Sequence, residues 1–424
     1  MADNSGMDRR QFLTMGAGAM MFSMLAAEEL RAQTPAAPAP PAGGGAPVNC
    51  AVIGLGAQGR ALIDSLARAA NAPVTAVCDT YTPAHTRALT VATKATAVQD
   101  YKQLLGRADV SAVFVATPTH QHKQIVLDAI AAGKHVYCEA PLAYTIEDAK
   151  AIALAGKAST RIFQSGLTQR MLPISTHVRK FIETDVLSKV AQIRGQYHRK
   201  TNWRRAAPTP EREQALNWRL SKATSLGLVG ELGIQPLDLM NWYLRSTPVA
   251  VSGFGGILAW QDGRDVPDTV QCIFEYPEGV HLAYDATVAN SFDGKYELMM
   301  GSDSAIYLRD GRGWLIKEAD AKALGWEVYA HKDKLGDETG IALVADASKQ
   351  LALGKEPGSS APPAMTDQAM LNYAVDGFLS AIRTGKKPLA GPTEGYQSTV
   401  AVIKANEAVN SASRITIAKE LYDL

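Results

Sequence analysis

The stretch VNCAVIGLGAQG, residues 48 to 59, restricts the possible folds more than any other part of the chain. Val48 to Ile53 is an apolar, strand-like run. Gly54, Gly56 and Gly59 follow at G-x-G-x-x-G spacing, and Ala57 to Ala70 reads as a helix. The three glycines serve different ends. The first allows a tight turn, the second lets the backbone approach a pyrophosphate, and the third lets helix and strand pack closely. The helix N-terminus, with Ala57 and Gln58 in its first turn, then offers unpaired N–H groups and a positive dipole end to phosphate. A second mark is the strand PVTAVCD, Pro73 to Asp79, which ends in an acid 20 positions beyond Gly59. A carboxylate there binds the ribose hydroxyls and repels a 2′-phosphate, so NAD is expected rather than NADP.

The alternation continues down the chain. A helical pattern over 84–93 precedes the apolar run Val110 to Ala116, and Thr117-Pro118-Thr119 breaks that run at its carboxyl end. Helix His120 to Ala132, strand His135 to Glu139, helix Ile146 to Lys157 and strand Arg161 to Gln164 follow. Strands alternating with helices predict an α/β, Rossmann-like doubly wound parallel sheet. Ligands of such a sheet lie at the carboxyl ends of its strands. The expected cofactor contacts are therefore Gly54, Gly56, Ala57, Gln58, Gly59, Asp79, Thr117, Pro118, His120, Glu139 and Gln164. Beyond residue 170 the runs 191–199, 269–276 and 281–288 alternate apolar and polar, as antiparallel strands with one exposed face do. Helices are expected at 366–383 and 393–411.

Bulk properties add exclusions. The formal net charge of +1 shows no run of one sign, so binding to nucleic acid or a membrane surface through bulk charge is not expected. The four cysteines form no CxxC pair or metal-ligand spacing, and no metal is expected. Near the start, Arg9 and Arg10 precede Phe12-Leu13 and an apolar run to Ala27, which resembles a twin-arginine export signal over 1–33. A Pro/Ala/Gly linker, 34–47, follows. A periplasmic location is the expectation. The dinucleotide domain is expected over 48–168 and a substrate and oligomerisation domain over 169–424.

Taken together, AVIGLGAQGR, VFVATPTHQHKQIVLDAIAAGKHVYCEAPLA, FQSGLTQR, GQYHRKTNWRR and GLVGELGIQPLDLMNWYL resemble the glucose–fructose oxidoreductase / inositol dehydrogenase (Gfo/Idh/MocA) family, in its exported branch. The resemblance implies a second, α+β domain with an open, mostly antiparallel sheet that serves a homodimer or homotetramer. It also implies a carbohydrate or polyol substrate and C-terminal helices that return to the core.

Two expected catalytic groups are replaced. The family places Glu-Lys-Pro at the end of the fifth strand; here Ala140 stands between Glu139 and Pro141. Its acid–histidine–acid helix reads Glu231, Gln235 and Asp238. A methyl group cannot carry a proton, and an amide does not titrate near neutrality. By the resemblance, Gln235 and Asp238 remain site candidates, with Tyr197 and His198 as replacement proton carriers. Arg204 and Arg205 suit an acidic sugar or a dimer contact. The leading reading is an NAD-dependent oxidoreductase with tightly held cofactor. The alternatives are a non-catalytic carbohydrate-binding or complex subunit, and a glycoside hydrolase or lyase that works by transient oxidation.

Overall fold

The computed structural model describes residues 45–344 and 365–424. The expected export signal, 1–33, and most of the expected linker, 34–47, lie outside the described residues.

The first layer runs β1 (Cys50–Ile53), α1 (Ala57–Arg68), β2 (Val74–Cys78), α2 (Thr82–Leu89), β3 (Thr96–Val98), α3 (Tyr101–Leu105), β4 (Ala112–Val115), α4 (His122–Ala131), β5 (His135–Cys138), α5 (Ile146–Ala158) and β6 (Phe163–Ser165). The six strands are all parallel, in the order β3-β2-β1-β4-β5-β6. Every residue of β1 and β4 is buried, because helices cover both faces of the sheet. The order reverses between β1 and β4, and the crevice above that point is where such sheets bind ligands.

The second layer holds α6 (Pro173–Glu183), β7 (Val190–His198), α7 (Glu213–Leu216), α8 (Gly227–Glu231), α9 (Ile234–Leu244) and strands β8 (Ala250–Gly256), β9 (Thr269–Glu275), β10 (His281–Thr287), β11 (Lys295–Gly301), β12 (Ser304–Arg309), β13 (Arg312–Lys317), β14 (Lys332–Leu335) and β15 (Glu338–Leu343). The chain ends with α10 (Asp367–Thr384), α11 (Pro392–Ser411) and β16 (Arg414–Thr416). These ten strands form one open sheet, ordered β14-β15-β13-β12-β11-β7-β10-β9-β8-β16. All neighbours are antiparallel except β7 and β10. Along β9 the residues Val270, Cys272 and Phe274 are buried while Gln271 and Ile273 face out, the period of two that marks a half-solvated strand.

The two C-terminal helices close the structure. Helix α10 packs on the parallel sheet through Phe378, whose ring lies 5.2 Å from Phe114 and 5.9 Å from Tyr137. It is pinned to α1 by Gln368 Nε2 donating to Ala61 O (3.0 Å) and by the Arg68–Asp376 ion pair (2.6 Å). Helix α11 lies against β8, where Gly253 and Gly255 leave room for Val409.

Several boundaries differ from the sequence expectation. The 84–93 helix begins earlier, at Thr82, because Pro83 fits the first helical turn. The helix expected from His120 opens instead as a 3₁₀ turn over Thr119–Gln121, and its α part starts at His122. Strand β6 is shifted to Phe163–Ser165. The short elements β3 and α3 carry too few residues for a legible period.

Candidate active site

The crevice begins with the glycine loop. Gly54 has φ +91°, and a Cβ there would sit 2.7 Å from the Ala116 carbonyl. A Cβ on Gly59 would lie 1.8 Å from Gly54 O, so only glycine lets α1 approach β1 this closely. Gly56 behaves differently: nothing lies within 4 Å of a Cβ built on it. The loop is therefore held tightly at both ends and open in the middle, which is the clearance a pyrophosphate needs. No side chain caps α1, leaving the N–H groups of its first turn, at Ala57 and Gln58, for an anion.

Asp79, just past β2, closes the other wall. Its Oδ2 accepts from Leu55 N and its Oδ1 from Tyr81 N, both at 2.8 Å. The acid thus anchors the glycine loop to the end of β2. An ionised carboxylate has about four acceptor positions, so two remain for ribose hydroxyls. At the end of β4 the Thr117 hydroxyl and His120 Nδ1 are buried with no hydrogen-bond partner among the described residues. Open clearance at Gly56, an uncapped helix, a placed acid and unpaired polar atoms fit a dinucleotide.

Glu139 lies beside this loop. Gln58 Nε2 donates to its Oε1 (3.0 Å). Gly166 gives its other oxygen room: a Cβ at 166 would meet Glu139 Oε2 at 2.7 Å. Burial pushes the Glu139 carboxyl up to about 7, against the lowering effects of the Gln58 hydrogen bond and the Arg219 charge. Across the crevice, Glu231 accepts from Thr119 Oγ1 (3.2 Å) and faces Arg219 Nε (3.4 Å). Burial raises its pKa as well, with Arg219 opposing. The Arg219 guanidinium lies 4.5 Å from the Trp218 ring centre, and His120 approaches the same ring edge-on at 6.0 Å. Trp218 and Arg219 carry no motif of their own in the sequence; only the fold, by bringing 218–231 over the crevice, gives them a place.

His122 is structural. Its Nε2 faces Thr117 O at 2.9 Å, and its Nδ1 faces Pro141 O at 3.1 Å and Leu142 O at 3.2 Å. Burial lowers its pKa. With carbonyl oxygens facing both ring nitrogens, His122 ties the end of β4 to the loop that follows β5.

Other expected site residues are elsewhere. Gln164 is fully buried and donates to Ala374 O on α10 (2.9 Å), so it braces the helix rather than lining the crevice. Asp238 is 1 % exposed and receives both Arg170 nitrogens, at 2.6 and 2.9 Å, plus Ser398 Oγ at 2.7 Å. Those three bonds hold it as one half of a buried ion pair, with both oxygens turned to Arg170 and Ser398. Gln235 is also engaged: Nε2 donates to Gly166 O (2.8 Å), and Oε1 accepts from Thr168 Oγ1 (3.2 Å) and Gln169 N (3.3 Å). It locks the loop behind Glu139.

His198 and Tyr197 alternate on β7, so they point to opposite faces. His198 shares the outer sheet face with Asp285, to which Nε2 hydrogen-bonds, while Nδ1 bonds Phe292 O (3.0 Å). Both ring nitrogens are thus engaged, which leaves His198 without a free nitrogen to act as a replacement base. Tyr197 points to the helix-covered face, and Tyr197, His198 and Arg199 together line a cavity of about 190 Å³ with Gln169, Lys295 and Glu297. None of the crevice residues lines that cavity. Strand alternation and the second-domain register, which set the different surroundings of these two side chains, are not visible without the sheet.

Comparisons with known proteins agree with this geometry. A family model described as "Oxidoreductase family, NAD-binding Rossmann fold" matches residues 48–167, and one described as "GFO/IDH/MocA C-terminal domain" matches 175–305. A levoglucosan dehydrogenase from Pseudarthrobacter phenanthrenivorans is 28 % identical over 209 residues, 44 % of this chain and 52 % of that protein, so this alignment spans about half of the relative. A 2,7-anhydro-N-acetylneuraminate hydratase from Mediterraneibacter gnavus is 24 % identical over 80 % of this chain and 87 % of its own length. Among solved structures, a levoglucosan dehydrogenase in complex with NADH and L-sorbose superposes with TM-score 0.70 at 20 % identity, covering 88 % of this chain and 99 % of that one. That similarity speaks to the fold. The two family models occupy consecutive stretches, one for each layer of the structure, and the protein belongs to the Gfo/Idh/MocA oxidoreductase family.

Proposed function

We propose that the protein is an NAD-dependent oxidoreductase of a carbohydrate or polyol, working in the periplasm with a tightly held cofactor. The observation that carries this is the glycine cradle, closed at Gly54 and Gly59 and open at Gly56. The sugar class is supported by the relatives' names. Export rests on the Arg9-Arg10 segment and its apolar run. The outer face of the ten-stranded sheet, with Phe254 61 % and Ile273 42 % exposed, is the surface we assign to a homodimer or homotetramer.

When bound, the nicotinamide exchanges hydride with a carbinol carbon. The chain must then take up or return the hydroxyl proton. With Ala140 where the family has lysine and Gln235 locked in hydrogen bonds, we assign this role to Glu139, at the end of β5 beside the glycine loop. In the oxidation direction the ionised Glu139 carboxylate would receive the hydroxyl proton while a bound nicotinamide would supply the hydride acceptor, so that the carbinol becomes a ketone and Glu139 is left protonated.

The sign of the pH dependence follows. Glu139 is neutral below about 7 and ionised above it. Oxidation by the ionised form therefore rises through that pH and levels off. Glu139→Gln is expected to lose this limb and to lower kcat/KM by roughly 10²- to 10⁴-fold. An unchanged profile in the variant would rule out the role. Ala140→Lys places an ammonium beside Glu139, lowers its pKa and moves the rising limb to lower pH. Because the folded-state value is raised, the contribution of Glu139 to stability is complete below the ordinary glutamate range and is lost as pH rises through about 7. Glu139→Gln removes that loss, which a Tm–pH series would show.

A second reading is favoured by one observation, the 80 % alignment with a protein named as a hydratase. Transient oxidation followed by elimination and re-reduction would leave NAD unchanged overall. Turnover of a glycoside without net NADH formation distinguishes it.

A further inference from the structure

The segment after β7 brings several arginines to the crevice, and their partners separate them. Arg204 is consumed by ion pairs with Glu213 and, at 3.3 Å, with Asp262. Arg212 lies over the Tyr81 ring at 4.5 Å. Arg205 has neither kind of contact: its guanidinium has no ion-pair or hydrogen-bond partner among the described residues. Its backbone is nevertheless fixed. Arg205 N donates to Asn217 Oδ1 (2.7 Å), and Asn217 Nδ2 donates back to Arg205 O (2.9 Å). Asn217 is buried, so the clamp is rigid and holds Arg205 beside the Trp218–Arg219 wall.

The surroundings of Arg205 are cationic. Burial lowers its pKa, and the Arg219 and Arg60 charges lower it further. Arg60 spends one nitrogen on Leu55 O (3.1 Å), a neutral partner. Arg219 lies over the Trp218 ring and makes a long contact to Glu231. Arg205 and Arg60 have no carboxylate partner among the described residues, and like charges gathered without one are unfavourable unless an anion joins them. The dinucleotide pyrophosphate is one source of negative charge, but the glycine loop and the uncapped end of α1 already serve it through backbone N–H groups. Arg219 instead stands by Glu231 and within electrostatic reach of Glu139, on the side where the substrate must react.

We propose that the crevice binds a carbohydrate bearing a carboxylate, and that Arg205, with Arg219, receives that carboxylate. This rests on the oxidoreductase reading above and adds the substrate class to it. The planar guanidinium presents paired donors that match a carboxylate, which is why arginine rather than lysine suits the position.

The test is a calorimetric titration of the full protein with hexuronates and aldonates, D-glucuronate and D-gluconate among them, against D-glucose and D-glucitol. Each titration is run with and without NADH, in wild type, Arg205→Gln and Arg205→Lys. Arg205 is solvent-open and its backbone clamp does not involve its side chain, so both variants should fold. A sugar acid should bind at least about 10-fold more tightly than its neutral counterpart, and Arg205→Gln should weaken it roughly 10- to 100-fold while Arg205→Lys retains part of the preference. NADH affinity should change by no more than about twofold. Equal affinity for every acid and its neutral counterpart overturns the proposal. So does a loss in Arg205→Gln that falls on NADH instead of the sugar acid, which would assign the guanidinium to the cofactor phosphates. Failure of wild type to bind NADH strikes the oxidoreductase reading, and the cofactor-free titrations still decide the carboxylate.

Discussion

Replacing Gly56 by alanine is expected to leave the protein folded and to remove dinucleotide binding. The free structure has nothing within 4 Å of the new Cβ, so Tm should be unchanged to within about 1 °C apart from the small backbone effect of the substitution. The same methyl group occupies the space a pyrophosphate enters, and a loss of NADH affinity of roughly 100-fold or more follows from displacing phosphate from its backbone donors. Gly59→Ala provides the contrast. Its Cβ would meet Gly54 O at 1.8 Å, so α1 must move away from β1. Overpacking of that kind costs about 1–3 kcal/mol or more. Gly59→Ala should therefore lose both stability and NADH binding. Thermal denaturation and a fluorescence titration with NADH separate the two variants. Retained affinity in Gly56→Ala would mean that the loop does not hold phosphate.

The largest stability effect is expected at Asp238. In Asp238→Asn the Arg170 guanidinium, itself 7 % exposed, keeps its charge and loses its counter-ion. Removing one partner of a buried pair costs about 3–5 kcal/mol, because the remaining charge stays desolvated. Tm should fall by roughly 3–6 °C. The double substitution Arg170→Met/Asp238→Leu should recover much of this, since two apolar side chains of similar volume carry no desolvation cost. The stability loss is one half of the expectation. The other is that NADH affinity and turnover per folded molecule stay near wild type, because Asp238 faces Arg170 and Ser398 rather than the crevice. A variant that is stable but inactive would return Asp238 to the chemistry.

Much of the dinucleotide half was legible from residues 48 to 164. The glycine spacing, the acid at the end of β2 and the buried runs of β4 and β5 are local signals, and local signals survive without a structure. Gln164 misled because a strand residue near the carboxyl edge can point to either face, and this one points to α10. In the second half the alternation of β9 and β10 was readable, but the pairing of β7 with β10 and β11 was not. That register decides which of Tyr197 and His198 turns outward. Asp238 and Gln235 were identified by position in a motif, yet their chemistry is set by partners 68 and 69 residues away, Arg170 and Gly166. Arg205, paired in the sequence with Arg204, is told apart from it only by the carboxylates that reach one and not the other. The raised pKa of Glu139 was likewise out of reach, since it comes from burial by the folded crevice.

The most direct measurement is the nucleotide content of the protein itself. The full chain is purified from cells without added cofactor and denatured, and the released nucleotide is quantified by absorbance and mass spectrometry. Near-stoichiometric NAD(H), with little NADP(H), is the expected result. Protein that releases no nucleotide and fails to bind NADH on titration would contradict the dinucleotide site, and the oxidoreductase reading with it.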